Sequence, residues 1–449
     1  MRARLARTLF AAAFAAGAAA VLAGACNPNV YDDYTLGGPG DGSGGDGSGG
    51  DGSGGGGQGQ QGGGGSAGAG GDAGLRCEGE GQEACNNSAC QNCDADGAGS
   101  CETDTSISST NCGACGRSCL TTTCAGGQCQ SASVTSGVQV STRLVSGGGF
   151  LYWVSTPDQI DTLPGDAVYR IDVANGGQVE QAYVPADALE IFDLAANATG
   201  FYLVTDQGVK TRGHGTTGEL TTLSAPEQNT ALAALTAPAL ARISANENDV
   251  FFTAPLQGNT AQVWSVPKAG GPAKALTTID SGQISMLVAD AGGVFVGSGA
   301  KGAGDPGVSY VPNVEGGGKS TVYGGNDVVV GDFAVSGDDL IIVDTSDTSD
   351  KLVAVNRVDK QPVTLKPNTS GPLRALAADE SGLYYLAYDL SNNKTSLMRV
   401  RREPGADSLG EPTTLLDEVT GAARNLPLAL DASWVYGVSS GTTIFHVPK

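Results

Sequence analysis

The sequence predicts an all-β protein whose main domain is a seven-bladed β-propeller. Short runs of aliphatic and aromatic residues recur after residue 130, with spacings of 43 to 51 residues. Gly, Asp, Asn and Ser turns separate these runs, and no long helical periodicity interrupts them. A period of this length, with room for about four strands, is typical of one propeller blade.

The recurring run is the second strand of each predicted blade. Its seven instances begin at Leu151, Phe201, Val250, Val294, Leu340, Leu383 and Trp434. A preceding strand is predicted at 239–243, 284–289, 373–378 and 426–430, and a following strand begins at Val263, Val308, Leu352, Leu397 and Ile444. The repeat around Phe201 is irregular, so six or eight blades also remain compatible with the pattern.

The two ends of the repeat region predict how the ring closes. The last repeat stops at Lys449, directly after its third strand, and the strand-like piece 131–140 precedes the first repeat. An unpaired edge would invite association with other chains. We therefore expect 131–140 to pair with 441–449 and to complete a propeller domain spanning 131–449.

The first 25 residues have the three parts of an export signal. Arg2, Arg4 and Arg7 precede an apolar run from Leu9 to Leu22, and small residues follow. The stretch Leu22-Ala23-Gly24-Ala25-Cys26 resembles a lipoprotein signal, in which cleavage exposes a cysteine for lipid attachment. Here the large apolar residue lies one place earlier than usual. The resemblance implies a lipid on Cys26 and a place in the cell envelope, at the outer membrane or cell surface; ordinary cleavage and secretion is the alternative.

A low-complexity linker follows the cysteine. Residues 26–75 contain repeated Gly, Asp and Ser, and the stretch 37–74 has almost nothing that could be buried. Such composition predicts disorder. A Gly-rich tether of this length has a mean reach of about 35 Å.

Residues 76–130 form a cysteine-rich segment with too few aliphatic residues for a core. In an exported chain this predicts a small module held by disulfides, with connectivity that sequence cannot assign. Its ten cysteines are Cys77, Cys85, Cys90, Cys93, Cys101, Cys112, Cys115, Cys119, Cys124 and Cys129. The pairs Cys90-x-x-Cys93 and Cys112-x-x-Cys115 also have the spacing of a zinc site, which is the rival interpretation.

Three carboxylates in this segment suggest a weak calcium site. Asp94, Asp96 and Asp104 alternate with small residues, as oxygen ligands for calcium do, but the loop is short and lacks a closing Glu. A polar turn is the simpler explanation. No other cofactor is predicted.

Two resemblances bear on the rest of the chain. The stretch NCGACGRSC at 111–119 resembles segments of surface lipoproteins in Gram-negative bacteria. The repeats resemble the broad bacterial propeller group that includes TolB-like and quinoprotein-like proteins. WD-repeat, Asp-box and kelch signatures are absent from the sequence, so this resemblance implies a fold and no particular activity.

The net charge and the histidine content of the chain disfavour several classes of function. The formal net charge is -22, which disfavours nucleic acid and anionic lipid headgroups as partners. The two histidines, His214 and His446, lie in a glycine-rich turn and in a strand. We expect structural roles for both, because a metal-dependent propeller enzyme would need them to converge on the axis.

The loops joining second to third strands are rich in aspartate. Such loops emerge on one face of a propeller, so they predict an acidic rim that accepts a cation or a basic partner. Its members are Asp158, Asp161, Asp166, Asp305, Asp344, Asp347, Asp350 and Asp389. Generally polar loops in an acidic chain are the simpler explanation.

Together these features favour a surface-anchored propeller that binds a protein, peptide or glycan and has no enzymatic activity. One alternative is an exported metal-dependent lyase or hydrolase. Another is a spacer or structural protein of the envelope. The membrane, through the lipid, and an unidentified envelope or extracellular ligand are the expected partners.

Overall fold

The fold follows from a computed structural model. It describes residues 90–91, 93, 103–115, 117–140, 143–155, 166–173, 177–184, 189–215, 219–224, 240–256, 259–299, 304–346, 350–365, 371–402, 409–419, 428–439 and 442–449. The predicted signal peptide, Cys26 and the linker lie outside these residues. Within them, every regular element of appreciable length is a β-strand, and no helix could cross a membrane.

The cysteine-rich module contains two short antiparallel pairs. Their strands are β1 (Cys90–Gln91), β2 (Thr103–Asp104), β3 (Cys124–Ala125) and β4 (Gln128–Cys129). Gly126 and Gly127 join β3 to β4 with positive φ angles of 59° and 77°. A two-residue hairpin turn of this kind requires that backbone region at both positions, and glycine enters it without strain.

Disulfides cross-link this module, as its composition predicts. The described pairs are Cys93–Cys115, Cys112–Cys124 and Cys119–Cys129, and Cys90 is also disulfide-bonded. The zinc alternative needs four free thiolates, whereas its cysteines are oxidised here. Cys77, Cys85 and Cys101 lie outside the described residues.

The remaining strands form seven four-stranded antiparallel sheets, which confirms the seven-bladed propeller. Blade 1 contains β6 (Val145–Gly147), β7 (Phe150–Ser155), β8 (Ala167–Asp172) and β9 (Glu180–Tyr183). Blade 2 contains β10 (Ile191–Ala196), β11 (Gly200–Thr205), β12 (Gly208–Gly213) and β13 (Thr221–Ser224). Blade 3 contains β14 (Ile243–Ala245), β15 (Asp249–Pro255), β16 (Thr260–Pro267) and β17 (Lys274–Asp280).

The later blades repeat the same order. Blade 4 contains β18 (Ile284–Asp290), β19 (Gly293–Ser298), β20 (Gly307–Pro312) and β21 (Ser320–Tyr323). Blade 5 contains β22 (Val330–Ser336), β23 (Asp339–Asp344), β24 (Lys351–Asn356) and β25 (Pro362–Leu365). Blade 6 contains β26 (Leu373–Asp379), β27 (Gly382–Asp389), β28 (Lys394–Arg402) and β29 (Leu409–Leu416).

Blade 7 is assembled from both ends of the repeat region. Its strands are β30 (Leu428–Leu430), β31 (Trp434–Ser439), β32 (Thr443–Pro448) and β5 (Ala132–Ser136). Strand β5 pairs antiparallel with β32, so that Ser136 lies opposite Thr443 and Ala132 opposite His446. The outer edge of the last blade is therefore covered by the strand that precedes the first.

The core lies between the blades. Second strands are buried on both faces, as in β7 and β11, which explains their continuous apolar runs. Distinct apolar clusters join blades 1 and 2, 2 and 3, 3 and 4, 4 and 5, and 5 and 6, and one larger cluster joins blades 6, 7 and 1. Each fully buried large side chain contributes about 1.5–3 kcal/mol, so these interfaces supply most of the stability.

Strand direction defines two faces. Inner strands begin on the same face on which second strands turn into third strands; we call it the entry face. First-to-second and third-to-outer turns lie on the other face, which we call the turn face. Consecutive inner strands contact one another around the whole ring, and β30 contacts β6. They therefore line a central channel.

Candidate functional site

A charged cluster lines the channel near the entry face. It is formed by Arg143, Asp193, Arg242 and Asp332, at or just before the starts of four inner strands. Register shifts in β10 and β22 fall immediately before Asp193 and Asp332. Such bulges change the direction of side chains and are common next to functional sites. Equivalent bulges in two blades thus present two carboxylates in the same way.

The two aspartates also join neighbouring blades. The Asp193 carboxylate accepts a hydrogen bond from the Ile243 backbone N–H at 3.0 Å, linking blade 2 to blade 3. The Asp332 carboxylate accepts one from the Leu376 N–H at 2.9 Å, linking blade 5 to blade 6. These are the same contact repeated at two places in the ring.

Arg143 reaches from blade 1 to the two following blades. Its Nε donates to the Leu194 carbonyl at 2.9 Å, and its Nη2 donates to the Ile243 carbonyl. The same Nη2 lies 3.1 Å from the Asp193 carboxylate, whose side chain is only 6% exposed. A planar guanidinium with five donors can make such a set of contacts at once, which a lysine cannot.

Arg242 extends the cluster to blade 4. Its Nε donates to the Ser285 carbonyl at 3.2 Å. Burial lowers the pKa of Arg242, Asp193 opposes that change, and Arg143 adds to it. The channel therefore holds two cations and two carboxyl groups that affect one another electrostatically.

Asp332 is the member of this cluster with an unusual acidity. Loss of hydration raises its pKa to about 7, although the Leu376 and Phe333 N–H groups and Arg143 all favour the charged form. A carboxyl that titrates near neutrality can exchange a proton under physiological conditions. The net charge of the channel consequently depends on pH.

Asp332 should make the stability of the protein pH-dependent. Between pH 4 and 7 the carboxyl is protonated in the folded chain and ionised in the unfolded chain. Folding then takes up a proton, so the free energy of unfolding falls as pH rises, with a slope of up to about 1.4 kcal/mol per pH unit. We expect Asp332→Asn to remove this contribution, as measured by denaturant unfolding at several pH values.

The slope of stability against pH is the diagnostic quantity, because the asparagine also loses one acceptor for the backbone. Burial lowers the pKa of His214 and of His446, so these groups act in the opposite direction below about pH 6.5. Both histidines are present in the wild type and in the variant, so their contributions to the pH dependence cancel when the two proteins are compared. If the free energy of unfolding changed with pH by the same slope in both proteins, the role given to Asp332 would be contradicted.

The described members of the predicted acidic rim lie at second-to-third connections, on the entry face by topology. Each makes specific contacts within the fold. Asp166 and Asp350 accept the N–H groups of Ile191 and Leu373, both at 2.8 Å, at the start of the next blade.

The other three described rim residues contact their own or the adjacent blade. Asp305 lies 2.7 Å from Lys319 Nζ, Asp344 accepts the Tyr323 hydroxyl at 2.7 Å, and Asp389 accepts the Ser391 N–H. Asp158, Asp161 and Asp347 lie outside the described residues. A partner-binding role of this rim stays a prediction.

A cavity of 650 Å³ opens on the turn face at blades 2, 3 and 4. Its lining consists mostly of small and hydrogen-bonding residues of the first-to-second turns. These are Asn197, Ala198, Thr199, Ala245, Asn246, Glu247, Asn248, Lys268, Ala289, Asp290 and Ala291. The volume is that of an ordinary small-ligand site.

Asparagines hold this cavity in shape. Asn197 Nδ2 donates to the Asn246 carbonyl at 2.9 Å, and Asn246 Nδ2 donates to the Asp290 carbonyl at 2.7 Å, so three blades are joined in series. Arg357 pairs with the Asp290 carboxylate at 3.0 Å. Lys268 Nζ lies 3.3 Å from Thr199 Oγ1 and 5.7 Å from the centre of the Tyr202 ring.

The two histidines lie in different blades. His214 Nε2 donates to the Asn197 carbonyl and its Nδ1 accepts the Tyr152 hydroxyl, each at 2.7 Å, which fits the neutral ring. His446 stacks on Trp434 with ring centres 4.1 Å apart. Their positions, a third-to-outer turn and a third strand, are away from the channel.

Of the three aspartates predicted to bind calcium, Asp104 lies within the described residues. Asp104 Oδ1 accepts the Ser106 N–H at 2.9 Å, whereas its Oδ2 is inaccessible and has no hydrogen-bond partner among the described residues. Asp94 and Asp96 lie outside the described residues. Calcium binding therefore remains a prediction.

Sequence reasoning missed the channel cluster. A usable signal was present, because Ile191-x-Asp193 and Val330-x-Asp332 place an aspartate at the same step of two apolar segments that form the inner strands β10 and β22. An acid within an otherwise apolar strand requires a partner. No such signal marks Arg143, which lies outside the regular strands.

Comparisons with known proteins return folds only. No family model matches the chain, and no curated protein matches its sequence. Among solved structures it is similar to a puromycin hydrolase, with a TM-score of 0.46, 13% identity and coverage of 68% of this chain and 51% of that one. The chain thus spans about half of that enzyme.

Two further structures are covered over most of their length. One is YCF48 bound to D1 peptide, with a TM-score of 0.48, 9% identity and coverage of 71% of this chain and 96% of that one. The other is an oligogalacturonate lyase from Vibrio parahaemolyticus, with a TM-score of 0.47, 12% identity and coverage of 70% and 92%.

Proposed function

We propose that the chain is a lipid-anchored protein of the bacterial cell envelope that binds a glycan in the turn-face cavity and does not transform it. The lining of that cavity is the observation that carries the proposal. Amide, hydroxyl, ammonium and carboxylate groups lie around a concave surface whose apolar members are alanines. Sugar hydroxyls both donate and accept hydrogen bonds, so such a lining suits them.

A glycan fits this lining better than a peptide does. Peptide side chains gain affinity by filling pockets lined with aromatic or aliphatic groups. The residues lining this cavity include no aromatic or large aliphatic side chain. The hydrogen bonds that join the three turns further favour binding, because a preformed site loses less conformational entropy when the ligand binds.

Glu247, Asn248 and Lys268 are the side chains expected to contact the ligand. Glu247 and Asn248 are exposed at the cavity, while Asn197 and Asn246 are occupied with holding neighbouring blades. Replacing Asn248 or Lys268 with alanine should weaken binding about tenfold, the effect of one lost hydrogen bond. Fluorescent polysaccharide fractions from the cell envelope, titrated with purified protein, measure this.

Glu315→Ala is the matched control, because Glu315 is exposed on the same face and does not line the cavity. It should bind as wild type does. If wild-type protein binds no envelope polysaccharide, or if the Asn248 and Lys268 variants bind normally, the glycan proposal is wrong. A spacer role would then account better for the protein.

The runner-up is an enzyme that acts at the channel. The near-neutral pKa of Asp332, whose charged form Arg143 favours, is the observation that supports it. The same polysaccharide incubations distinguish the two functions. A binding protein returns the glycan at its original length, whereas a lyase or hydrolase returns shorter chains, and Asp332→Asn should abolish that shortening.

The anchor is tested separately. Acyl chains with an isotope label, fed to producing cells, should enter the wild-type chain and not Cys26→Ala. The variant should leave the membrane fraction while keeping its glycan affinity. Equal labelling of both chains would show that Cys26 is not the lipid attachment site.

A further inference from the structure

Three arginines meet where the cysteine-rich module contacts the propeller. Arg117 belongs to the module, and Arg399 and Arg401 belong to β28 of blade 6. Residues two apart in a strand point to the same side, so Arg399 and Arg401 share one face. The intervening Val400 is fully buried in the apolar cluster on the other face.

The junction itself is formed by neighbouring strands. Strand β4 of the module contacts β29, the outer strand of blade 6. The chain then continues directly from β4 into β5, the outer strand of blade 7. The arginine cluster therefore lies where the module meets the outer parts of blades 6 and 7.

These guanidinium groups repel one another in a poorly hydrated place. Arg399 is only 6% exposed. Burial, then Arg401 and then Arg117 together lower its pKa to about 10. Burial and then Arg401 likewise lower the pKa of Arg117.

Several donors of the cluster are unused. Arg117 Nε, Arg117 Nη2 and Arg399 Nε are inaccessible and have no hydrogen-bond partner within the described part of the chain. None of the three arginines forms an ion pair with a described carboxylate. Buried donors and unpaired like charges are both costly, and an anion would relieve both costs.

We infer that Arg117, Arg399 and Arg401 form a binding site for an oxyanion at the junction of the module with blade 6. Guanidinium groups match carboxylate, sulfate and phosphate oxygens through paired, charge-assisted hydrogen bonds. Arg401 is exposed and provides access from solvent. The site is independent of the turn-face cavity, so it does not depend on the glycan proposal.

Thermal unfolding of the full chain in phosphate and in sulfate tests this site. At constant ionic strength, with chloride as the replaced ion, Tm should rise with the logarithm of anion concentration, as it does for a ligand that binds only the folded state. Isothermal titration with acetate, sulfate and phosphate then identifies the preferred oxyanion. Arg117→Gln should weaken binding about tenfold or more, because charge-assisted hydrogen bonds are lost.

Arg401→Glu is the sharper variant. It supplies an internal carboxylate to the cluster, so it should raise Tm in chloride and abolish the added effect of phosphate and sulfate. Lys394→Gln is the control, because Lys394 lies in the same strand but pairs with Asp417 at 2.8 Å. It should keep the anion response.

Two results would overturn the inference. One is a Tm response to phosphate and sulfate that is the same in wild type and Arg401→Glu, which would mark a general salt effect. The other is a wild-type chain that shows no response, which would mean that groups of the chain itself neutralise the arginines. Because Arg401→Glu is expected to be stabilised, a failure to fold cannot account for a lost response.

Discussion

Replacing Trp153 with alanine is expected to lower the free energy of unfolding by about 4 kcal/mol. Trp153 is fully buried in β7 and stacks on Tyr169, with ring centres 5.9 Å apart. It belongs to the cluster that joins blades 6, 7 and 1, where the ring closes. Removing it leaves a large cavity. The surrounding strands are packed on both faces, so they cannot move to fill it.

Denaturant unfolding followed by circular dichroism measures this loss, and Trp264→Ala is the matched control. Trp264 stacks on Phe252 with ring centres 6.4 Å apart, but it is only partly buried. Its removal should cost about 2 kcal/mol, since less apolar area is lost. Equal losses of unfolding free energy in the two variants would show that the deeper burial of Trp153, where the ring closes, adds no stability.

Proline at both Ser133 and Thr135 should destabilise the protein by about 2–6 kcal/mol, because lost N–H donors leave carbonyl groups unpaired. These residues lie in β5, opposite Phe445 and Ile444 of β32. The variant should also unfold less cooperatively, since β5 and β32 hold the two ends of the ring together without a covalent bond.

Prolines at Thr221 and Thr222 provide the comparison. These residues lie in β13, the outer strand of blade 2. The chain runs on from β13 into blade 3, so a covalent connection remains there when the strand pairing is lost. Loss of its pairing should reduce stability without opening the ring. If both double variants unfold with the same sharpness, the closure is not what makes the propeller cooperative.

The architecture was predictable because burial repeats along the chain. Second strands are covered on both faces, so runs such as Leu151 to Val154 are apolar throughout and mark each blade. Counting strands at the two ends then identified β5 as the missing member of blade 7. Predicted limits differed from the observed ones by a few residues, as with β14, which was predicted at 239–243 and spans Ile243–Ala245.

The charged sites could not be predicted in the same way, since they depend on contacts far apart in sequence. Arg143 contacts Leu194 and Ile243, which lie 51 and 100 residues further along. Arg117 and Arg399 come together only when the module contacts blade 6. Conversely, Asp166 and Asp350 look like ordinary polar loop residues, yet each accepts a backbone N–H of the next blade.

The order of covalent links before β5 has a mechanical consequence. The Cys93–Cys115 and Cys119–Cys129 bonds form a short covalent path through the module, so tension entering at Cys93 cannot extend it far. Only Gln130 and Ser131 separate Cys129 from β5. A force applied from the N-terminal side therefore acts on the pairing of β5 with β32, which is the first non-covalent contact of the ring that the force can break.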